Sequence, residues 1–253
     1  MTNPRPRPVL EALRARIARI VAGDRPARAT LPFGVAMIDA RLPEGGLMLG
    51  ALHEVAGGGV GSTDGAAAAV FVAGIVARAP GLVLWCVTRS DLFAPALSQA
   101  GLDPDRVVYV EAGDEKTMLA CFEEGLRHGG LGAAVAEVGG LSMAASRRLQ
   151  LAAEASGTLG IVVRRWRRAS EAADFGEPTA AVTRWRVTAL PSAPLPVPGV
   201  GRARWRVELV RCRGGESAEF SVGACDGTGH LAVPADLADR SSAAMAGWRR
   251  ASA

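Results

Sequence analysis

A glycine-rich turn at residues 54–65 constrains the fold more than any other stretch of this 253-residue chain. It reads E-V-A-G-G-G-V-G-S-T-D-G and lies between a short apolar segment at 51–55 and a longer apolar run at 66–76. A strand, a glycine-rich turn and a helix in this order are typical of a phosphate-binding loop, because glycines let backbone N–H groups surround an anion at the helix N-terminus. The stretch therefore predicts a strand-turn-helix unit of this kind.

The side-chain chemistry of a nucleotide site is missing from this turn. A working loop reads G-x-x-x-x-G-K-[ST], with the lysine on the phosphates and the hydroxyl on magnesium. Counted from Gly57, the lysine position falls on Thr63 and the hydroxyl position on Asp64, and a frame ending on Gly65 supplies no lysine either. We predict a vestigial phosphate loop and no bound cofactor; its residues are Gly57, Gly58, Gly59, Gly61, Ser62, Thr63, Asp64 and Gly65.

Strand and helix patterns alternate from about residue 51 to residue 163, with short connections between them. Such alternation predicts a mostly parallel sheet flanked by helices. Three further strand patterns at 183–190, 203–210 and 218–222 follow without helices, so we expect antiparallel strands at the C-terminal end of the sheet. The predicted fold class is therefore α/β.

The ends of the chain differ from this core. Residues 1–24 contain an amphipathic helix pattern with a basic side, residues 25–231 form the predicted domain, and 232–253 form a small-residue tail. No apolar run is long enough for a membrane span and no signal peptide is visible, so we expect a cytoplasmic protein without membrane contact. The four cysteines and three histidines are too scattered to predict a metal site.

Several segments resemble known proteins. The approach L-P-F-G-V-A-M-I-D-A-R-L-P-E-G-G-L-M-L-G-A-L-H-E-V at 31–55 resembles the entry to the phosphate loop of RecA-type recombinases, and R-W-R-V-E-L-V-R-C-R-G-G-E-S-A-E-F-S-V at 204–222 resembles their last core strands. The turn without lysine, the run V-L-W-C-V-T-R-S-D-L-F-A-P-A-L-S-Q-A-G-L at 83–102 and the Arg-Trp-Arg segments are similar to the ImuA family. This resemblance covers roughly residues 31–231.

The resemblance implies a RecA-like fold and a role in SOS-induced mutagenesis. ImuA proteins are RecA-like accessory proteins that work with ImuB, a polymerase-like protein without catalytic residues, and with an error-prone DNA polymerase in translesion synthesis. RecA-type enzymes also carry a glutamate after the second core strand and an aspartate near the magnesium. Here Asp91 is the nearest acid to the first position, and Glu137 is a vestigial magnesium-site acid at the second. Because the lysine, the hydroxyl and the catalytic acid fail together, we expect no ATP hydrolysis.

Arginines flank tryptophan in three triplets in the second half of the chain, at residues 165–167, 184–186 and 204–206. If a triplet lies on a strand, its tryptophan points to one face and its arginines to the other. The tryptophans are then either core residues or, together with the arginines, part of a surface for DNA or an acidic partner. The candidates for DNA or partner binding are Arg147, Arg148, Arg164, Arg165, Trp166, Arg167, Arg168, Arg184, Arg186, Arg204, Arg206, Trp248 and Arg249.

The sequence thus predicts a catalytically inert scaffold that binds an ImuB-like protein and an error-prone polymerase complex. DNA contact and self-association remain open. Two alternatives are a SulA-like cell-division inhibitor, whose fold is related but has no phosphate loop, and an active RecA-type DNA-dependent ATPase. The retained glycine turn argues against the first alternative, and the missing lysine argues against the second.

Overall fold

A computed structural model describes residues 29–59, 61–166, 174–192, 195 and 198–233. Four of the candidate residues, Arg167, Arg168, Trp248 and Arg249, lie outside these ranges. The predicted N-terminal helix and the tail beyond Val233 also lie outside them.

The described chain alternates strands and helices, as the hydrophobic pattern predicts. The strands are β1 Thr30–Leu31, β2 Leu47–Met48, β3 Leu52–Gly57, β4 Leu82–Val87, β5 Val107–Glu111, β6 Leu131–Val138, β7 Leu159–Arg164, β8 Thr183–Leu190, β9 Arg204–Cys212 and β10 Ala218–Gly223. The helices are α1 Ala36–Asp39, α2 Ser62–Ala77, α3 Ala94–Gln99, α4 Glu115–His128 and α5 Met143–Ser156. Single 3₁₀ turns occur at Pro43–Gly45, Pro104–Arg106 and Asp174–Gly176.

Local sequence fixes several helix ends. Asp114 caps α4 by accepting a hydrogen bond from the Thr117 N–H at 2.9 Å, and Ser142 caps α5 in the same way through Ala145. Both helices end on a glycine in the left-handed region, Gly129 and Gly157. Helix α3 begins at Ala94, since Pro95 suits a first helical turn.

Eight strands form one sheet in the order β10-β9-β8-β3-β7-β6-β4-β5, and β1 pairs with β2 separately. Strands β3 to β8 run parallel to one another, whereas β9 pairs antiparallel with β8 and β10 pairs antiparallel with β9. The predicted architecture is confirmed: a mostly parallel sheet with helices ends in antiparallel strands. Strand β8 marks the change, because it pairs in parallel with β3 and antiparallel with β9.

Helices cover the two faces of the sheet differently. One core cluster packs α2 and α3 on one face around aromatic side chains, which are Phe33, Phe71, Trp85, Trp185 and Trp205. A second cluster packs α4 and α5 on the other face. Strand β4 leads into α3 and its neighbour β6 leads into α5, so their connections leave toward opposite faces. A crevice at the carboxyl ends of two such strands is where open α/β sheets bind ligands.

Candidate functional site

The glycine turn is fastened to strand β8. The Gly58 N–H donates to the Val187 carbonyl at 2.8 Å, and the Asp64 carboxylate accepts from the Ala189 N–H at 2.9 Å. A Cβ on Gly57 would lie 2.9 Å from the Asp64 carbonyl carbon, and one on Gly58 would collide with the Thr188 side chain. Neither glycine has a positive φ. Glycine is therefore required here by close packing rather than by left-handed backbone.

The turn does not fit a magnesium nucleotide. Ser62 and Thr63 are exposed at the start of α2, whose N-cap residue Gly61 provides no side-chain hydrogen bond. Asp64 stands where a magnesium-binding hydroxyl would be, and its carboxylate is held by the backbone of β8. A carboxylate in the first helical turn offsets the positive end of the helix dipole that would otherwise attract phosphate. The site thus lacks the cation and the hydroxyl that a phosphate loop needs.

A polar cavity of about 480 Å³ opens at the carboxyl ends of β4 to β7, in the crevice between β4 and β6. We call it the carboxyl-edge pocket. Its lining residues are Thr88, Arg89, Asp91, Gly113, Asp114, Glu115, Glu137, Val138, Gly139, Arg165 and Trp166. It contains two of the acids that the sequence suggested as remnants of a catalytic site, Asp91 and Glu137.

Arg165 occupies the space between these two acids. Its Nη1 atom lies 2.7 Å from Oδ1 of Asp91 and 2.7 Å from Oε2 of Glu137. The other oxygen of Glu137 accepts a hydrogen bond from the Trp85 indole N–H at 3.0 Å. Burial lowers the pKa of Arg165, but the charges of Glu137 and Asp91 outweigh burial and the pKa is raised overall. A guanidinium therefore stands where a bridging cation would have to bind.

Two candidate arginines lie in the core and not at the surface. Arg164 and Arg184 both contact Glu54, which is completely buried in β3: their distances to its two carboxylate oxygens are 2.9 Å each. Thr179 also donates to Glu54 at 2.9 Å, and Arg184 donates to the carbonyls of Phe175 and Glu177. Arg164 and Arg184, which the sequence suggested as contacts for DNA or a partner, are only 1% and 5% exposed and are held within the core.

The tryptophans of the second and third triplets are core residues. Trp185 and Trp205 are buried against Phe71, with ring centroids 6.3 Å and 6.2 Å away. The Trp185 indole N–H donates to Thr183 at 2.7 Å. Trp166 is half-buried at the pocket and packs edge-on against Phe175 at 5.5 Å. The strand alternation is confirmed: each buried tryptophan lies between arginines that point to the opposite face.

The remaining candidate arginines lie at or near the surface. Arg147 and Arg148 are exposed on α5, and Arg148 pairs with Glu123 at 2.7 Å. Arg186 lies 3.7 Å from Glu208, and Arg206 is exposed on β9. Arg204 is partly buried at the start of the same strand. The structure thus separates the predicted candidates into several groups instead of one basic face.

Sequence reasoning overlooked two residues that organise the site. Glu54 is the charged residue of the buried strand β3, and a charge in such a strand is a signal for a buried ion pair. His53 next to it is also buried; its ring nitrogens lie 2.7 Å from Thr183 Oγ1 and 2.9 Å from the Met48 carbonyl. Burial lowers the pKa of His53 to about 4, while the bond to Met48 raises it slightly. His53 is therefore neutral at pH 7 and joins β3 to β8.

The mostly parallel sheet with flanking helices and antiparallel C-terminal strands defines an α/β protein with a RecA-like fold. No family model matches the chain. It is 41% identical over 243 residues to Protein ImuA of Caulobacter vibrioides, in strains NA1000 / CB15N and ATCC 19089 / CIP 103742 / CB 15; the match covers 90% of this chain and 98% of each relative. The chain therefore belongs to the ImuA family. Within the described residues, none of the helices has the length and apolar character needed to cross a membrane.

Proposed function

We propose that this chain is a non-catalytic RecA-like accessory protein of SOS-induced translesion synthesis. Membership of the ImuA family supports a role in the ImuA–ImuB mutagenesis system. Its partners in this proposal are an ImuB-like protein of polymerase fold and an error-prone DNA polymerase complex. The protein would act through contacts between macromolecules and not through ATP turnover.

The position of Arg165 carries the proposal. A RecA-type ATPase needs magnesium, a lysine and a catalytic acid acting together on the phosphates. In this chain Arg165 neutralises Asp91 and Glu137, the two acids nearest to such roles. A metal ion at Glu137 would have to displace a guanidinium held by two carboxylates. The glycine turn adds no lysine to compensate.

The frequency of ultraviolet-induced mutation in cells tests whether the role is non-catalytic. A strain lacking the gene is complemented with the wild-type chain or with Ser62→Ala/Thr63→Ala, which removes both exposed hydroxyls of the turn. A second double variant, Ser90→Ala/Ser98→Ala, removes two exposed hydroxyls elsewhere. We expect both variants to restore ultraviolet-induced mutation to the wild-type frequency. Loss with the turn variant alone would contradict a non-catalytic role.

Co-purification tests the partner part. The chain is co-expressed with the polymerase-like protein, captured, and washed with EDTA and a nucleotide-degrading enzyme. We expect the complex to survive, because the proposed contacts need neither magnesium nor nucleotide. Dissociation under these conditions, with recovery on adding Mg-ATP, would show that a nucleotide controls the assembly.

A further inference from the structure

One face of the antiparallel end of the sheet is open within the described part of the chain. On β8 and β9 the side chains of Trp185, Val187, Trp205 and Val207 point toward α2 and are buried. Alternate residues point the other way. Arg206 is exposed on that side, and Arg186, Arg204 and Glu208 are partly exposed. The two layers of helices therefore leave a polar sheet face accessible.

This open face is divided by charge. Toward the amino end of β8, Glu208 lies 3.7 Å from Arg186 and directly opposite Glu219 of β10. Toward the carboxyl end, Arg206 lies between Thr188 and Ser221 on the neighbouring strands, and Arg204 lies opposite Leu190. We call this second part the basic half-face; it consists of Thr188, Leu190, Arg204, Arg206 and Ser221.

The arginines of the basic half-face have unused hydrogen-bonding capacity. Among the described residues, no carboxylate forms an ion pair with Arg204 or Arg206. The Nε of Arg204 and the Oγ1 of Thr188 are buried and have no hydrogen-bond partner. These two buried atoms are closed to a surface ligand, but the exposed side chain of Arg206 leaves guanidinium N–H donors available to a ligand rich in anionic oxygens.

The geometry also suits a linear ligand. Arg204 and Arg206 are alternate residues of one strand, so their Cα atoms lie about 6.8 Å apart on the same face. Ser221 lies opposite Arg206 on β10, whereas the Thr188 hydroxyl on β8 is buried next to Gly58. Arginine is well suited to phosphate because its planar group presents paired donors. Two arginines in a row beside Ser221 form a surface for successive phosphates.

An acidic protein is a less suitable ligand for the same surface. Binding hot spots between proteins are usually anchored by tryptophan, tyrosine and arginine that fill pockets. Here the tryptophan of the triplet, Trp205, is buried beneath the strand, and Leu190 is the only large apolar member of the half-face. Contacts to phosphates require no such anchor and carry no base specificity.

We propose that the basic half-face binds the sugar–phosphate backbone of nucleic acid, independently of sequence. This inference rests on the proposed function, since an accessory protein of translesion synthesis acts next to DNA. It assigns the contact to Arg204 and Arg206 and removes it from Arg164 and Arg184, which are buried. Single-stranded and duplex DNA present the same phosphate chemistry, and the experiment separates them.

Fluorescence anisotropy at several salt concentrations tests this assignment. The probes are a labelled 20-nucleotide oligo-dT and a labelled 20-base-pair duplex, with the purified full-length chain. For Arg204→Gln/Arg206→Gln, losing two phosphate contacts should reduce the slope of log K against log salt by about 1.4 for single strands and about 1.8 for duplex. If affinities converge at 1 M salt, the single-strand affinity at 0.1 M falls about 25-fold. The probe that the wild-type chain binds more tightly at the same salt concentration is the preferred ligand.

Three further measurements make the result decisive. Arg41→Gln/Arg127→Gln removes the same charge from two exposed arginines elsewhere and should leave the affinity within about twofold; an equal loss in this variant would overturn the assignment. Arg204→Lys/Arg206→Lys should retain much of the salt dependence, and unchanged melting would show that each variant is folded. Competition by poly-glutamate as strong as that by oligonucleotide would assign the face to an acidic protein instead.

The two proposals can fail separately. If the wild-type chain binds neither probe, the basic half-face proposal is wrong. The non-catalytic role would still stand, because it is tested by mutation frequency with the turn variant. Conversely, the chain could bind DNA through Arg204 and Arg206 while the turn variant loses mutagenesis. That result would overturn only the claim that the role is non-catalytic.

Discussion

Two segments with the same three residues, Arg184-Trp185-Arg186 and Arg204-Trp205-Arg206, have different environments. In both, the tryptophan packs into the core below the strand. In the first, Arg184 is buried on Glu54 and Arg186 lies beside Glu208. In the second, Arg206 is exposed, and the described structure contains no acid paired with it. An identical triplet therefore forms part of the core in one strand and of the surface in the next.

Sheet position and the neighbouring strand explain the difference. Strand β8 lies between β3 and β9, and β3 places Glu54 opposite Arg184. The 3₁₀ turn at Asp174–Gly176 and the following residues then cover Arg184 with carbonyl groups. Strand β9 is one strand nearer the edge, and its neighbour β10 offers Ser221 to Arg206. A buried carboxylate therefore decides which arginine is structural.

Glu54→Gln should have the largest effect, because it removes the charge that compensates two buried guanidinium groups. We expect a loss of about 3–5 kcal/mol in the free energy of unfolding, measured by urea denaturation at pH 7. Glu208→Gln, which alters the more exposed pair with Arg186, is the control and should cost under about 1 kcal/mol. Similar losses in the two variants would show that β8 and the outer face do not differ as described.

The buried His53 should make the free energy of unfolding depend on pH. The pKa of His53 is about 4 when folded and 6.5 in a model peptide. Between these values the unfolded chain binds the proton and the folded chain does not, so stability falls as pH decreases from 6.5 to 4. The loss reaches about 3 kcal/mol at pH 4 and below. Urea denaturation of wild type and His53→Gln across this range measures the difference.

In that experiment the His53→Gln variant still loses stability at low pH, because its carboxylates are protonated. It lacks only the contribution of the histidine. The gap between the two curves should therefore change with pH by the stated amount. Parallel curves from pH 7 to pH 4 would mean that His53 is protonated in the folded chain, or that it reaches solvent.

Asp91→Asn should have a small effect, because the side chains of Asp91 and Arg165 are 53% and 34% exposed. Arg165 would keep its contact with Glu137. We expect a loss under about 1 kcal/mol by thermal or urea denaturation. A loss comparable to that of Glu54→Gln would place the Arg165 pairs with the structural cluster instead of at the pocket.

Arg206→Gln should change stability least, by no more than about 0.5 kcal/mol, because the side chain is exposed. This is the sharpest contrast with the second triplet, whose Arg184 is buried. Urea denaturation at pH 7 checks it. Destabilisation by more than 1 kcal/mol would show that the third triplet is structural too.

The sequence was informative about the fold and much less so about the site. Apolar runs such as 82–87 and the alternation of strands and helices were sufficient for the parallel sheet. The absence of a lysine from the glycine turn is also visible in the sequence. Periodicity does not reveal which strands are neighbours, however. Contacts between Glu54 and Arg184, or between Asp91 and Arg165, join residues that are distant along the chain.

The basic segment at 164–168 shows this limit most clearly. All four of its arginines were candidates for DNA or partner binding, but Arg164 is buried on Glu54 and Arg165 bridges two acids. Four arginines within five residues therefore do not predict a binding surface unless the positions of their acidic partners are known. Only the fold places these acidic partners, from β3, from β6 and from the segment after β4, next to Arg164 and Arg165.

A nucleotide assay on the purified chain tests the central claim most directly. Phosphate release from Mg-ATP is measured together with thermal stabilisation by Mg-ATP, for wild type and for Thr63→Lys, which restores the missing lysine. We predict no release and no stabilisation for the wild type, and no release for Thr63→Lys, because Asp64 and Arg165 still occupy the hydroxyl and cation positions. Turnover by either protein, with stabilisation that rises with ATP concentration, would contradict the account and identify a working site at the glycine turn.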